Sequence, residues 1–236
     1  MKKVIGIIPR GVPCENNEQD SLRYLYHLGN RYVKRIEEAG GIAICLAPVD
    51  GRISQEQLAL CDGFLAQGGN KMFPYHFQII HHAVTTGKKY LGICLGMQLI
   101  HRYFALRQMV GKQKTEDAAI EQIIDLFFNQ GIGEDLLHRV EGHHTVDSVL
   151  DAHKAKHPVS VVPETVLHHL LGKEEIEGAS FHNWCVKDPV DALTVNAWAA
   201  DGTIEGIENG SNILGVQFHP EMDNTLPEIF RFLTEV

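Results

Sequence analysis

The run Tyr90-Leu91-Gly92-Ile93-Cys94-Leu95-Gly96-Met97-Gln98 decides how the rest of the chain is read. Tyr90–Ile93 is a short apolar segment of the kind that forms a strand covered on both faces, and it runs straight into Cys94. A helix is predicted to start near Met97. Gly-x-Cys-x-Gly at a strand-to-helix junction is the thiol form of a sharp elbow. The turn forces the central side chain out over the sheet, and the glycines on either side remove atoms that would clash.

Upstream of the elbow, strand and helix signals alternate. Val4–Ile8 is a β-branched run closed by Pro9. Asp20-Ser21 is placed to cap a helix carrying Leu22, Leu25, Tyr32, Val33 and Ile36 on one side, stopped by Gly40-Gly41. Ile42–Ala47, closed by Pro48, is the next strand, and Ser54 with Gln57 spells a capping box for a short helix. Asp62-Gly63-Phe64-Leu65-Ala66 leads into the turn Gln67-Gly68-Gly69-Asn70. Phe77, Ile80 and Val84 mark the buried side of a further helix, with Gly87 beyond its end. Strands separated by helices predict right-handed crossovers and a mostly parallel sheet.

Downstream the pattern changes. Leu193–Ala199, Ile204–Glu208 and Ile213–Phe218 are β-rich and joined by Asp201-Gly202 and Asn209-Gly210, both hairpin-type turns, before a last helix around Leu226–Leu233. The expectation is an α/β fold: an open, mostly parallel sheet with helices on both faces and a hairpin-rich C-terminal part. With no Pro/Ser/Gly-rich linker to divide it, 1–236 reads as one domain. Segment 112–150 stands apart, with three basic and eight acidic residues and over half of the net charge of −9. Within it Ile120, Ile123, Ile124, Phe127 and Phe128 form a helical stripe, with Thr115 as cap and Gly131 past the end. That stripe is expected to pack on the sheet or, as a lid or subunit contact in a homo-oligomer, to meet another surface.

Composition removes several classes of function. The chain has 21 Lys+Arg against 30 Asp+Glu, a balance that repels phosphate backbones and anionic membranes, so no nucleic-acid or membrane partner is expected. No apolar run approaches the ~18–20 residues that span a bilayer. Met1-Lys2-Lys3 before Val4–Ile8 mimics a leader, but Pro9-Arg10 ends the apolar stretch too soon. Five cysteines (14, 45, 61, 94, 185), without a Cys-x-x-Cys pair, argue for a reducing, cytoplasmic setting over disulfides or a zinc ribbon.

Chemistry is expected at Cys94, where the positive end of the following helix favours the thiolate. Cys45 and Cys61 read as inert core residues. A thiol nucleophile needs a base and the base an orienter; Phe218-His219-Pro220-Glu221 follows a strand, and residues two apart on extended chain project to the same side. The N–H of Leu95 and the glycine turn Gly68-Gly69 are the expected oxyanion donors, at the sheet edge where open α/β sheets bind ligands.

Gly92-Ile93-Cys94-Leu95-Gly96-Met97-Gln98, together with Gly215-Val216-Gln217-Phe218-His219-Pro220-Glu221, resembles the class I glutamine amidotransferase signature. Asp62–Gly69, His157-Pro158-Val159, Ser180-Phe181-His182-Asn183-Trp184 and Ala199–Glu205 resemble the γ-glutamyl hydrolase branch, peptidase C26, which includes γ-glutamyl-γ-aminobutyrate hydrolases. The likeness covers nearly the whole chain and is weakest in 112–150. It implies a flavodoxin-like fold and cleavage of a glutamyl side-chain amide through a γ-glutamyl thioester. It also implies Cys94 as nucleophile, His219 as base and acid, Glu221 as orienter, Gly69 and Leu95 as oxyanion donors, and Gly68, Gln98 and His182 around the glutamyl group. Leu95 stands where the branch often has Arg, Gln67 where Pro usually precedes the glycines, and Asn183-Trp184 where His-Gln is common. His101-Arg102-Tyr103-Phe104 lacks the usual glycine-rich continuation. These departures bear on recognition of the leaving group.

No cofactor is expected. His138, His143, His144, His153 and His157 cluster in sequence, and His153 and His157 would share a helical face, but no carboxylate or cysteine has tight ligand spacing, so no metal is expected either. The leading expectation is a hydrolase of small-molecule γ-glutamyl amides. A glutaminase subunit feeding ammonia to a separate synthetase is the alternative, and a non-catalytic binding protein on the same fold is a third.

Overall fold

The computed structural model describes residues 1–13, 24–110 and 115–235. The expected cap Asp20-Ser21, Leu22, Cys14 and the start of the acidic segment lie outside the described residues. In chain order the elements are β1 (Val4–Ile8), β2 (Arg10–Pro13), β3 (Tyr24–His27), α1 (Asn30–Glu38), β4 (Ile42–Cys45), α2 (Gln55–Leu60), β5 (Gly63–Ala66), α3 (Pro74–Thr86), β6 (Lys89–Ile93), α4 (Leu95–Met109) and α5 (Glu116–Phe128). They continue with β7 (Leu137–Arg139), β8 (Lys156–Val161), α6 (Val166–Leu171), β9 (Glu175–Ala179), β10 (Trp184–Val186), β11 (Thr194–Ala199), β12 (Ile204–Asn209), β13 (Ile213–Val216) and α7 (Glu228–Thr234).

Nine strands form one sheet in the order β4-β1-β5-β6-β13-β12-β11-β8-β9. From β4 to β13 every pairing is parallel; from β13 to β9 every pairing is antiparallel. The change of direction falls at β13, which pairs Gly215 with Gly92 and Val216 with Ile93 of the elbow strand. Two small hairpin-like sheets, β2-β3 and β10-β7, stand outside it.

Alternation along the parallel strands divides the core. Ile5, Ile7, Leu65, Leu91 and Ile93 face α1, α6 and α7, while Ile8, Phe64, Ala66 and Tyr90 face α3 and α4. Helices cover both faces, as the alternating pattern requires. Among the described residues no helix is long and apolar enough to cross a membrane.

Three local expectations are corrected. Leu25 lies in β3, and α1 starts only at Asn30, because Gly29 at its N-terminus is extended. Ser54 does accept from the Gln57 N–H (3.3 Å), but the Gln57 side chain binds the backbone of Ala47 at both its ends, so only half of the capping box is made. The stripe of α5 packs neither on the sheet nor outward. Thr115 caps the helix as read, and Ile120, Ile123, Ile124 and Phe127 are buried against α3 and α4. Phe127 meets Phe77 edge-on at 5.3 Å and the Arg102 guanidinium lies over its ring. The chain's own helices occupy the surface that an outer partner would have covered.

Because Ile123 is fully buried in that layer, Ile123→Ala is expected to lower unfolding stability by about 2–5 kcal/mol, the range for removing a buried aliphatic side chain. Denaturant titration checks it; a loss below about 0.5 kcal/mol would mean that α5 is not part of the core.

Candidate active site

The elbow is built by close backbone packing. Cys94 has φ 54° and ψ −105°, a conformation that costs a non-glycine residue of order 1–3 kcal/mol. The Cys94 N–H donates to the Val216 carbonyl (2.8 Å), carrying the β6–β13 ladder up to the turn. The Cys94 carbonyl then accepts from Met97 and Gln98, opening α4. A Cβ added at Gly92 would lie 2.5 Å from the Gly96 carbonyl, and one added at Gly96 would lie 2.8 Å from the Ala66 oxygen. Both glycines are therefore steric requirements of the turn.

The strand β13 delivers the second half of the site. Gln217 donates its N–H to Glu205 and His219 donates its own to Ala179, after which the chain turns with Met222 N–H on the His219 carbonyl. His219 and Glu221 thus meet across a tight turn, where extended chain was expected. His219 Nδ1 and Glu221 Oε1 are 2.7 Å apart and both residues are buried. Burial works against protonation of His219, but the charges of Glu221 and Cys94 beside it outweigh burial and raise its pKa well above the ordinary range. Gly68 marks where Cys94 and His219 come together: a Cβ there would lie 2.8 Å from His219 Cε1 and 3.4 Å from Cys94 Cβ.

Two residues shape this centre without having been assigned a role from sequence. Tyr32, read as part of an apolar stripe, accepts the Gly68 N–H at its hydroxyl (3.1 Å) and lies beside Glu221; burial first, then that carboxylate, hold it far in the neutral form. Gln67 is buried, donates to the Ile8 carbonyl (2.8 Å) and accepts the Gly29 N–H (2.6 Å), so it ties the end of β1 and the start of α1 to the glycine turn.

The remaining expected residues are near but differently used. Leu95 is the first residue of α4, so its N–H has no partner within the helix. A Cβ on Gly69 would lie 3.1 Å from the Arg10 side chain and 3.3 Å from the Leu95 side chain, so Gly69 and Leu95 are neighbours. Gln98 is buried, and its amide donates to the Trp184 carbonyl (2.9 Å) and toward Gln217 (3.2 Å). His182 sits close enough to feel the charge of His219, but its ring faces Glu205 at 3.3 Å, together with His143 and His157. His153 makes no pair with His157: the first is on a 3-10 turn and the second on β8. Burial pushes the Cys61 thiol up to about 11 and the Cys185 thiol up to about 12, and raises that of Cys45. Those three are poor nucleophiles at neutral pH.

Sheet, thiol elbow and buried imidazole–carboxylate pair together define a glutamine amidotransferase-like protein. The family model described as Peptidase C26 matches residues 3–82 and 74–221. The chain belongs to that family. The glutamine amidotransferase-like protein YvdE of Lactococcus lactis is 27% identical over 242 residues, 92% of this chain and 90% of its own length. Protein NtpR of Enterococcus hirae is 24% identical, covering 82% and 81% of the two chains. CTP synthase of Staphylococcus saprophyticus is 27% identical over 93% of this chain, which spans only 41% of that enzyme. Among solved structures, the glutaminase domain of Trypanosoma brucei CTPS with bound acivicin superposes with a TM-score of 0.66 at 16% identity, covering 98% and 92% of the two chains. A glutamine amidotransferase from Thermotoga maritima superposes at 0.58 and 15% identity, covering 94% and 77%.

The charge of Glu221 favours imidazolium, and imidazolium favours the thiolate beside it. Glu221→Gln removes that charge, lowers the His219 pKa and leaves a weaker base beside the thiol. Alkylation of Cys94 by iodoacetamide at neutral pH should slow by about tenfold or more, a tenfold change per pKa unit. An unchanged rate–pH profile would mean that Glu221 does not set the charge state of the pair.

Proposed function

We propose that the protein is a cysteine hydrolase of γ-glutamyl amides. The observation that carries this reading is the juxtaposition of an elbow thiol with a buried His219–Glu221 pair at 2.7 Å, in a chain of the peptidase C26 family. In this reading the Cys94 thiolate attacks the γ-carbonyl carbon, and the carbonyl oxygen becomes an oxyanion held by the N–H groups of Leu95 and Gly69. The Gly68 N–H is already engaged by Tyr32, which supports Gly69 as the donor of the pair. His219, protonated by the thiol, gives its proton to the leaving nitrogen as the C–N bond breaks, leaving a γ-glutamyl thioester. Water loses a proton to His219, attacks the thioester, and glutamate leaves as the thiol is restored. Glu221 holds the imidazole in one tautomer throughout, and Tyr32 keeps the carboxylate and the glycine turn in register. Gly68, Gln98 and His182 border the place where the glutamyl group would lie.

A second reading has a specific observation behind it: the likeness to CTP synthase over 93% of this chain. In that reading the same chemistry acts on glutamine and the ammonia passes to a separate synthetase.

Purified protein alone is expected to release glutamate from γ-glutamyl amines faster than from glutamine, in a panel with varied amines and glutamate detection. Cys94→Ala should abolish release, and His219→Ala should lower it by at least ~10³-fold, as for loss of a general base from such a unit. Variants near wild-type rates would overturn the cysteine mechanism; preference for glutamine with strong stimulation by a second protein would replace the first reading with the second.

A further inference from the structure

A second cluster of chemistry-bearing side chains lies beside the active site, and of its members only His182 also borders the proposed glutamyl place. His143, in the loop after β7, His157 on β8, His182 before β10 and Glu205 on β12 bring one ligand-type atom each within 4.8 Å of one another. His143 Nδ1 and His182 Nε2 stand 3.3 Å from Glu205 Oε1, and His157 Nε2 stands 3.6 Å from it. Glu205 is fully buried, His143 and His182 are 5% and 4% exposed, and none of these nitrogens nor either Glu205 oxygen makes a hydrogen bond. Buried polar atoms are nearly always hydrogen-bonded, so five that converge without a hydrogen bond need an explanation.

We propose that His143, His157, His182 and Glu205 form a binding site for one divalent transition-metal ion, with zinc the ion that fits best. The spacing supports it directly. Zinc bonds to imidazole nitrogen and carboxylate oxygen are about 2.0–2.1 Å, and the edge of a tetrahedron with such bonds is about 3.3–3.4 Å. The three histidine–glutamate distances of 3.3, 3.3 and 3.6 Å are of that size. Three imidazoles and one carboxylate are a borderline donor set suited to zinc, and four protein ligands in a buried site describe a closed, structural centre.

The surroundings hold these atoms in ligating form. His143 Nε2 lies 3.0 Å from Asp201 Oδ2, so its proton sits on the outer nitrogen and the Nδ1 lone pair faces inward. His157 Nδ1 lies 3.2 Å from the Pro158 carbonyl, which leaves Nε2 free in the same way. The loops that bring His143 and His182 together are joined by their backbones: the His182 N–H and the Ser180 hydroxyl both donate to the His143 carbonyl. The His143 ring centroid lies 4.6 Å from that of His157 and 4.7 Å from that of His182, with the rings crossed at 73° and 47°. An ion here ties both loops to the antiparallel half of the sheet and fixes His182 beside His219.

Chelator-treated protein titrated with zinc chloride should bind one ion per chain, retain it through desalting by elemental analysis, and melt several degrees higher when loaded. Co2+ in its place should give the intense visible bands of a four-coordinate centre. Asp201→Asn should weaken binding by about 10–100-fold. His157→Gln, on the least buried ligand, should remove stoichiometric zinc while leaving the circular dichroism spectrum native. Glu205→Gln should do the same for binding, and Cys94→Ser should leave the affinity unchanged. Three results overturn the site: no stoichiometric zinc on the wild type, undiminished zinc on a folded His157→Gln variant, or loss of zinc in Cys94→Ser, which would put the ion on the catalytic thiol.

Discussion

The whole arrangement depends on one backbone constraint, the left-handed conformation of Cys94 at the end of β6. A residue with a side chain occupies that region only when its surroundings leave no alternative. Here the surroundings are the contact of Gly92 on Gly96 and of Gly96 on Ala66, at distances no Cβ tolerates. That packing swings the chain from strand to helix within a residue, leaves the first N–H groups of α4 without carbonyl partners, and sets Cys94 beside His219. In the proposed reading, nucleophile, oxyanion donor and helix end are consequences of a single turn.

The second requirement is a neighbour strand to bring the imidazole. β13 sits where the sheet changes from parallel to antiparallel, and its pairing with β6 puts Val216 opposite Ile93, so the residues after it arrive beside the elbow. Ligands of open α/β sheets bind at such a crevice beyond the strand ends. The buried carboxylate of Glu221 would be costly there if unpaired, and His219 is the partner that compensates it. Glu205, fully buried on β12, is a second carboxylate under the same demand.

Legibility in the sequence followed the range of the physics. Val4–Ile8, Gly63–Ala66, Lys89–Ile93 and the hairpins at Asp201-Gly202 and Asn209-Gly210 were readable because apolar runs and turn residues act locally. So was the pairing of His219 with Glu221, although its geometry is a turn. Gly-x-Cys-x-Gly was readable because steric need leaves glycines on both sides. The helix α1 began late because an extended Gly29 carries no sequence signal distinguishing it from the start of a helix. Tyr32 looked like one more apolar stripe residue, since periodicity counts the ring and ignores the hydroxyl. The histidine–glutamate cluster was not legible for a related reason: its carboxylate comes from β12, far along the chain, and the alternation of β12 gives no hint that Glu205 points into the protein.

The account stands on a covalent bond at one sulfur. Acid quenching of the enzyme during turnover of a γ-glutamyl amine, followed by peptide mapping by mass spectrometry, tests it most directly. The expected result is a γ-glutamyl thioester on the peptide containing Cys94, formed in His219→Ala far more slowly than in the wild type. Glutamate release with no acyl group at Cys94, or an acyl group on Cys45, Cys61 or Cys185, would contradict it.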